Sequence, residues 1–177
     1  REMDVAMTTF QLAFKCPPPA GGREQARQEL IAGIAAEMLF GQSSQLYQWL
    51  YEDGLIDASF GGGESFGTGT AVITCGGDSK DPEEVRNCIL NEAKFLAENG
   101  LDRTAFERIK RSFLGGRFKG LTSFDSTCFR LCAYHMDGYD YFDFPTLFED
   151  VTAEEVRQYL ADNIRAEKCS LAVIDPR

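Results

Sequence analysis

Pro17, Pro18 and Pro19 stand in succession, and Gly21 and Gly22 follow closely. Proline has no N–H and a fixed φ, so the run can extend neither a strand ladder nor a helix. Upstream, residues 5–15 alternate small or polar residues with Phe10, Leu12 and Phe14, the period of a strand with one buried face. Downstream, residues 23–40 place Leu30, Ile31, Ile34, Ala35, Met38 and Leu39 in an apolar stripe at helical spacing, with Gly41 as the stop. The break thus joins one strand to one helix, which excludes both an all-helical and an all-β chain.

The remaining segments repeat the mixture. Ser43 or Ser44 caps a short helix through Asp53, with Leu46, Tyr47 and Leu50 on its buried face and Gly54 ending it. Strands are expected at Leu55–Gly61 and Phe66–Cys75, joined like a hairpin through Gly61-Gly62-Gly63. Asp81-Pro82-Glu83-Glu84 opens a helix to about Glu98, with Asp81 as cap and Glu84 completing a capping box. Another helix starts at Asp102 with Phe106, Ile109 and Phe113 on one face, its far end weakened by Gly115, Gly116 and Gly120. Residues 125–136 suggest a helix with Phe129, Cys132 and His135 inside or half-inside, and Gly138–Pro145 an aromatic, acidic loop. Thr152 caps Ala153–Asn163 with Glu155 at the capping-box position, and Cys169–Ile174 is a last strand. The order predicts α+β: a mixed or antiparallel sheet with helices mainly on one face, the strands at 5–15, 66–75 and 169–174 sharing it.

With 177 residues, 44% of them hydrophobic and 26% charged, one globular domain spanning 1–177 is expected. The net charge of −10 repels phosphate backbones, so nucleic acid is not a partner. The acidity serves solubility, or else makes a wall that attracts basic peptides. No apolar run reaches the roughly 20 residues of a membrane span, and no signal peptide is visible. The six cysteines form no C-x-x-C pair and read as reduced thiols of a cytoplasmic protein. The start at Arg1 and the end at Asp175-Pro176-Arg177 suggest a piece of a longer chain.

His135 is the only histidine, whereas zinc peptidases need two helical histidines and a glutamate base. Cys128 and Cys132 lie one helical turn apart without a second pair nearby, so they read as core and unbridged. No G-x-S-x-G elbow is recognised, and a Cys–His dyad would have to use His135 with an unmarked partner. The glycine-rich run from Gly61 to Gly69 lacks the G-K-[ST] ending of a phosphate loop.

The segment Ser44-Gln45-Leu46-Tyr47-Gln48-Trp49-Leu50-Tyr51-Glu52-Asp53-Gly54-Leu55-Ile56-Asp57 resembles S-R-L-F-x-x-L-R-E-x-G-L-A-Y, a C-terminal signature of the insulinase/pitrilysin zinc peptidases. Ser44, Leu46, Leu50, Glu52, Gly54 and Leu55 match it. The leading strand, the capped helix after Asp81-Pro82, Phe106-Glu107-Arg108-Ile109-Lys110, the Val151-to-Val156 helix start and the closing strand are similar in order and spacing. The resemblance covers nearly the whole chain and is closest to the bacterial members of mitochondrial processing peptidase type.

That resemblance implies the non-catalytic C-terminal half of a zinc metalloendopeptidase. Zinc would sit in an upstream catalytic-type domain of the same polypeptide carrying H-x-x-E-H, with no cofactor on this chain. The two halves would form a chamber for extended peptide substrate. The family's substrate-holding Arg and Tyr fall at Tyr51 and Asp57, which become the substrate-contact candidates although neither supplies the expected group. An unlike partner chain of the same family would then provide the missing pair. The chain alone is not expected to be an enzyme, although its parent is. The alternative is a structural or protein-interaction domain derived from such a peptidase.

Overall fold

The computed structural model describes residues 2–67 and 69–177. β1 (Glu2–Met3) and β2 (Thr9–Cys16) lead into α1 (Gly22–Phe40) and α2 (Gln45–Glu52). The hairpin β3 (Gly61–Gly67) and β4 (Thr70–Asp78) follows, then α3 (Pro82–Asn99), α4 (Arg103–Gly120) and α5 (Phe124–Met136). A 3-10 turn at Tyr141–Asp143, α6 (Phe144–Asp150), α7 (Ala153–Asn163) and β5 (Cys169–Pro176) complete the order. The strands form one mixed sheet, β1-β5-β2-β4-β3, parallel only between β1 and β5. The three strands expected to share a sheet do so, side by side, as β5, β2 and β4.

Period-2 patterning decides which face is covered. Phe10, Leu12, Phe14 and Cys16 of β2 are buried with Ala71, Ile73 and Cys75 of β4, while Gln11 and Lys15 point to the open face. α1 lies across the covered face and is buried almost all round from Leu30 to Ala36, so its apolar stripe is wider than one helix face. Val85 and Ile89 of α3 and Val156 and Leu160 of α7 close the core. Among the described residues no helix is long and apolar enough to cross a membrane.

Several expected boundaries move. The first strand starts at Thr9 rather than residue 5, because Val5 N–H turns back to the Met3 carbonyl and the chain bends before pairing. The strand expected at Leu55–Gly61 does not form: only Gly61 is strand, as the first residue of β3. The N–H groups of Leu55 and Ile56 both return to the Leu50 carbonyl, and Ile56 makes only an isolated bridge to Ser79. Gly61-Gly62-Gly63 is therefore strand, not connection: the turn comes after Gly67, and Thr68 lies outside the described residues. Gly62 is needed there, since a Cβ would fall 2.1 Å from the Thr74 carbonyl oxygen. α4 runs unbroken to Gly120 despite its glycines.

α5 turns the other way from the expectation. Phe129 is 74% exposed, and Cys132 and His135 are exposed as well. The side toward the fold carries Arg130, Leu131 and Tyr134 instead. Their partners come from the stretch read as a loop: Tyr139, Tyr141 and Phe144 are buried there, with Tyr141 stacked on Tyr134 at 5.4 Å. Aromatic burial, not helix propensity, folds that stretch.

Candidate functional site

β3 is the edge strand opposite β1, so one side of its backbone has no partner in the sheet. An unpaired strand edge offers a row of N–H and C=O groups to an added strand. Gly61 and Gly63 leave the approach bare: a Cβ at either would meet nothing within 4 Å. Further along β3 the Glu64 carboxyl tucks over Gly33 of α1, beside Phe113 of α4. Glu64 is exposed as a residue, but desolvation of that carboxyl end pushes its pKa up, against the Arg117 charge nearby.

Beyond Phe66 and Gly67 a cavity of about 380 Å³ opens between β3, α1, α4 and α5. Tyr134 Oη donates to Glu29 Oε2 at 2.8 Å and accepts from Arg117 Nη1 at 3.2 Å. The Arg117 guanidinium also lies over the rings of Tyr134 and Tyr141, 5.7 and 5.9 Å from their centroids. Burial opposes its charge, yet the two phenolic oxygens more than offset this and hold its pKa above the usual value. Burial pushes the Tyr134 hydroxyl up to about 12, so it stays a neutral hydrogen-bond relay. The sequence reading missed this cluster, because Glu29, Arg117 and Tyr134 are far apart in the chain and only the folding of α5 onto α1 joins them.

The two sequence-derived candidates lie on the segment leading into β3. Tyr51, at the end of α2, is 52% exposed and stacks on Tyr47 at 6.1 Å. Asp57 is exposed and bound into a local turn, accepting from Ser59 N at 2.8 Å and from Ser59 Oγ. The Ser59 hydrogen bonds hold its carboxyl below the usual range. Asp57 thus shapes the connection, and Ser59 Oγ in turn accepts from Asp78 N at 2.9 Å.

Three reactive arrangements can be checked against the geometry of the described residues. Gly63-Glu64-Ser65-Phe66-Gly67 does spell G-x-S-x-G, contrary to the sequence reading. It forms the straight edge strand β3, though, with no strand-to-helix turn. Burial pushes the Cys75 thiol up to about 12 and the Cys88 thiol up to about 11, the latter with Glu84 beside it. Both are protonated and poor nucleophiles near neutral pH. Among the described residues no three histidine, cysteine or acidic side chains are placed to hold a metal ion, so these residues do not fit a zinc site.

A family model described as the peptidase M16 inactive domain matches residues 1–113. The chain is 28% identical over 162 residues to YmfH of Bacillus subtilis (strain 168), described as an uncharacterized zinc protease; the match takes in 88% of this chain and 36% of that protein. The fold is similar to a proposed M16-like peptidase from Alicyclobacillus acidocaldarius, with a TM-score of 0.91, 20% identity, and coverage of 99% of this chain and 42% of that one. It is also similar to the inactive peptidase domain of a proposed zinc protease from Bordetella parapertussis, with a TM-score of 0.81, 12% identity, and coverage of 100% and 95%. The chain spans 36% of the B. subtilis relative and 42% of the A. acidocaldarius one. With the family model covering well over half of it, the chain belongs to the peptidase M16 family as one of its inactive domains.

Proposed function

We propose that the 177 residues act as one non-catalytic domain of a cytoplasmic zinc metalloendopeptidase, as a wall of the chamber that holds an extended peptide. The observation that carries this reading is the open outer edge of β3, bare of side chains at Gly61 and Gly63 and flanked by Arg117 and Tyr134. A peptide strand added there gains main-chain hydrogen bonds without displacing a side chain. Tyr51 and Asp57 lie on the connection into that strand and are proposed to contact the substrate, by ring and surface rather than by a guanidinium. Zinc and the activated water belong to an upstream catalytic-type domain of the same polypeptide. A partner chain of the same family supplies the donors that Tyr51 and Asp57 lack.

A peptidase assay on three samples tests this: the present chain, the polypeptide with its upstream domain, and that polypeptide with a paired family member. Cleavage is expected only where the upstream domain and zinc are present. Zinc-dependent cleavage by the present chain alone would overturn the non-catalytic assignment. Folded but inactive samples throughout, with zinc added, would favour a purely structural domain. The tying of Asp57 to Ser59 already lends that second reading some support.

A further inference from the structure

A groove of about 440 Å³ lies where the C-terminal ends of α1 and α3 meet the N-terminal ends of α2 and α4. Met38, Leu96 and Ile109 give it an apolar floor. Phe95 stands at its rim, 54% exposed. A large exposed aromatic beside an apolar concavity marks a surface built for contact.

Charge sets the kind of contact. Glu37, Glu92 and Asp102 line the groove against a single guanidinium, Arg108. Asp102 is occupied as the cap of α4, accepting from Ala105 N at 2.7 Å, and Arg108 donates to Ser43 Oγ at 3.2 Å. The half-buried carboxylates of Glu37 and Glu92 have no hydrogen-bond or ion-pair partner among the described residues. Gly41 makes the room that Glu37 uses, since a Cβ there would sit 2.3 Å from the Glu37 Cδ. Two helix C-termini and two N-termini converge, so their dipoles offset one another and the side chains determine the sign. Desolvation pushes the Glu92 carboxyl pKa up with no cation to relieve it.

We infer that this groove is a docking site for a basic peptide segment. A lysine or arginine stem lies over Met38, Leu96 and Ile109 with its cation facing Glu37 and Glu92, and an adjacent apolar residue packs on Phe95. Long basic side chains bury their stems and keep the charge at a polar rim, which matches this floor and wall. Nucleic acids and acidic peptides are repelled by the same carboxylates. The groove also leads somewhere. A second hollow of about 290 Å³ shares Glu37, Ser43, Arg108 and Ile109 with it and runs to Phe113, the ring beside Glu64 of β3. A peptide anchored in the groove would therefore be delivered toward the open sheet edge. The inference takes only its ligand class from the proposed function. It is read by binding rather than cleavage, so either can fail alone.

The experiment is fluorescence anisotropy on the intact chain with a labelled peptide of alternating leucine and lysine, and with its leucine–glutamate and serine–lysine counterparts. Saturable binding of the leucine–lysine peptide is expected, with both counterparts weaker. Glu37→Gln combined with Glu92→Gln should weaken binding about tenfold, or ~1.4 kcal/mol. Phe95→Ala, at an exposed position that does not threaten folding, should weaken it several-fold. A control pair on exposed sites outside the groove, Asp4→Asn with Glu149→Gln, removes the same charge and should leave binding nearly unchanged. Absence of saturable binding overturns the inference. So does unchanged affinity in both the carboxylate pair and Phe95→Ala, or a control pair that loses as much as the groove pair.

Discussion

Tyr134 on α5 gives its hydroxyl hydrogen to Glu29 on α1 at 2.8 Å, and the same oxygen takes one from Arg117 on α4. One phenol thus ties α5, which has no buried residue of its own, to both α1 and α4. Tyr134→Phe keeps the ring contacts with Tyr139 and Tyr141 but removes the bonds to Glu29 Oε2 and Arg117 Nη1, leaving Glu29 the 3.4 Å bond from Gln25 Nε2 and Arg117 its place over the Tyr141 ring. A hydrogen bond to a charged group contributes about 1.5–3 kcal/mol. Urea unfolding should show a loss in that range, and amide exchange should rise first in α5. An unchanged midpoint would mean that water replaces the phenol at no cost.

The α7 cap links stability to pH. Thr152 Oγ1 accepts from Glu155 N, and the Glu155 carboxylate receives the Thr152 N–H at 2.9 Å, closing a full capping box. Arg27 of α1 also pairs with Glu155. Desolvation raises the Glu155 pKa, but the Thr152 and Arg27 contacts outweigh it, so the folded value lies below the unfolded one. A depressed carboxylate contributes stability that is present above its unfolded pKa, about 4.3, and is lost as pH falls through the folded value. Glu155→Gln should lower the thermal midpoint at pH 7 and flatten its dependence on pH below about 5. Thr152→Ala should cost about 1 kcal/mol. A Gln variant that tracks the parent at every pH would remove Glu155 from the acid dependence.

The local signals in the sequence were legible where one segment suffices. Asp81, Asp102 and Thr152 cap the helices expected of them, and β5, β2 and β4 share the sheet as their alternation predicts, with one face buried in β2 and β4 and half-buried in β5. Half of one expected box fails: Asp81 accepts from Glu84 N, but the Glu84 carboxylate takes a weak hydrogen bond from the Cys88 thiol instead. The failures come from a helix end and from packing. Leu55 and Ile56 look like strand, yet their N–H groups are claimed by Leu50. Phe129 and His135 look interior because they fall on an apolar period, but α5 has apolar residues on two faces and only packing chooses between them. Of the candidate sites, Tyr51 and Asp57 could be placed by resemblance alone. The Glu29–Tyr134–Arg117 cluster and the groove at Glu37 and Glu92 join residues from separate helices, which no local pattern announces.

The glycines of β3 separate by role. A Cβ at Gly62 would lie 2.1 Å from the Thr74 carbonyl oxygen and 2.7 Å from the Cys75 Cα, both backbone atoms of β4. At Gly61 it would meet nothing within 4 Å. Gly62→Ala should therefore destabilise by roughly 1–3 kcal/mol, the usual cost of forcing atoms into packed structure. Gly61→Ala should be neutral for stability, yet it would place a methyl group on the open approach to the strand edge. Paired denaturation curves check the first expectation. Equal losses in both variants would show that glycine flexibility, rather than close approach, governs this strand.

Glu92 offers a test in which a mutation stabilises. Its carboxyl is desolvated in the groove, and its folded pKa is raised by burial with no partner to lower it. A raised carboxyl binds its proton more tightly in the folded state. The folded protein is therefore favoured at low pH, and that advantage is lost as pH rises from the unfolded value, about 4.3, through the folded one. Glutamine has the shape of the protonated acid and never ionises. Glu92→Gln should match the parent below about pH 4 and become the more stable of the two as pH climbs to neutrality. Thermal unfolding of both proteins across that range reads the difference directly. The same substitution is expected to weaken the leucine–lysine peptide, so stability and affinity should move in opposite directions. A variant that loses both at pH 7 would show that Glu92 is structural, held by a contact that favours its charge. A gain in stability with a loss of binding would identify a carboxylate kept at a cost to folding because a cation comes to meet it.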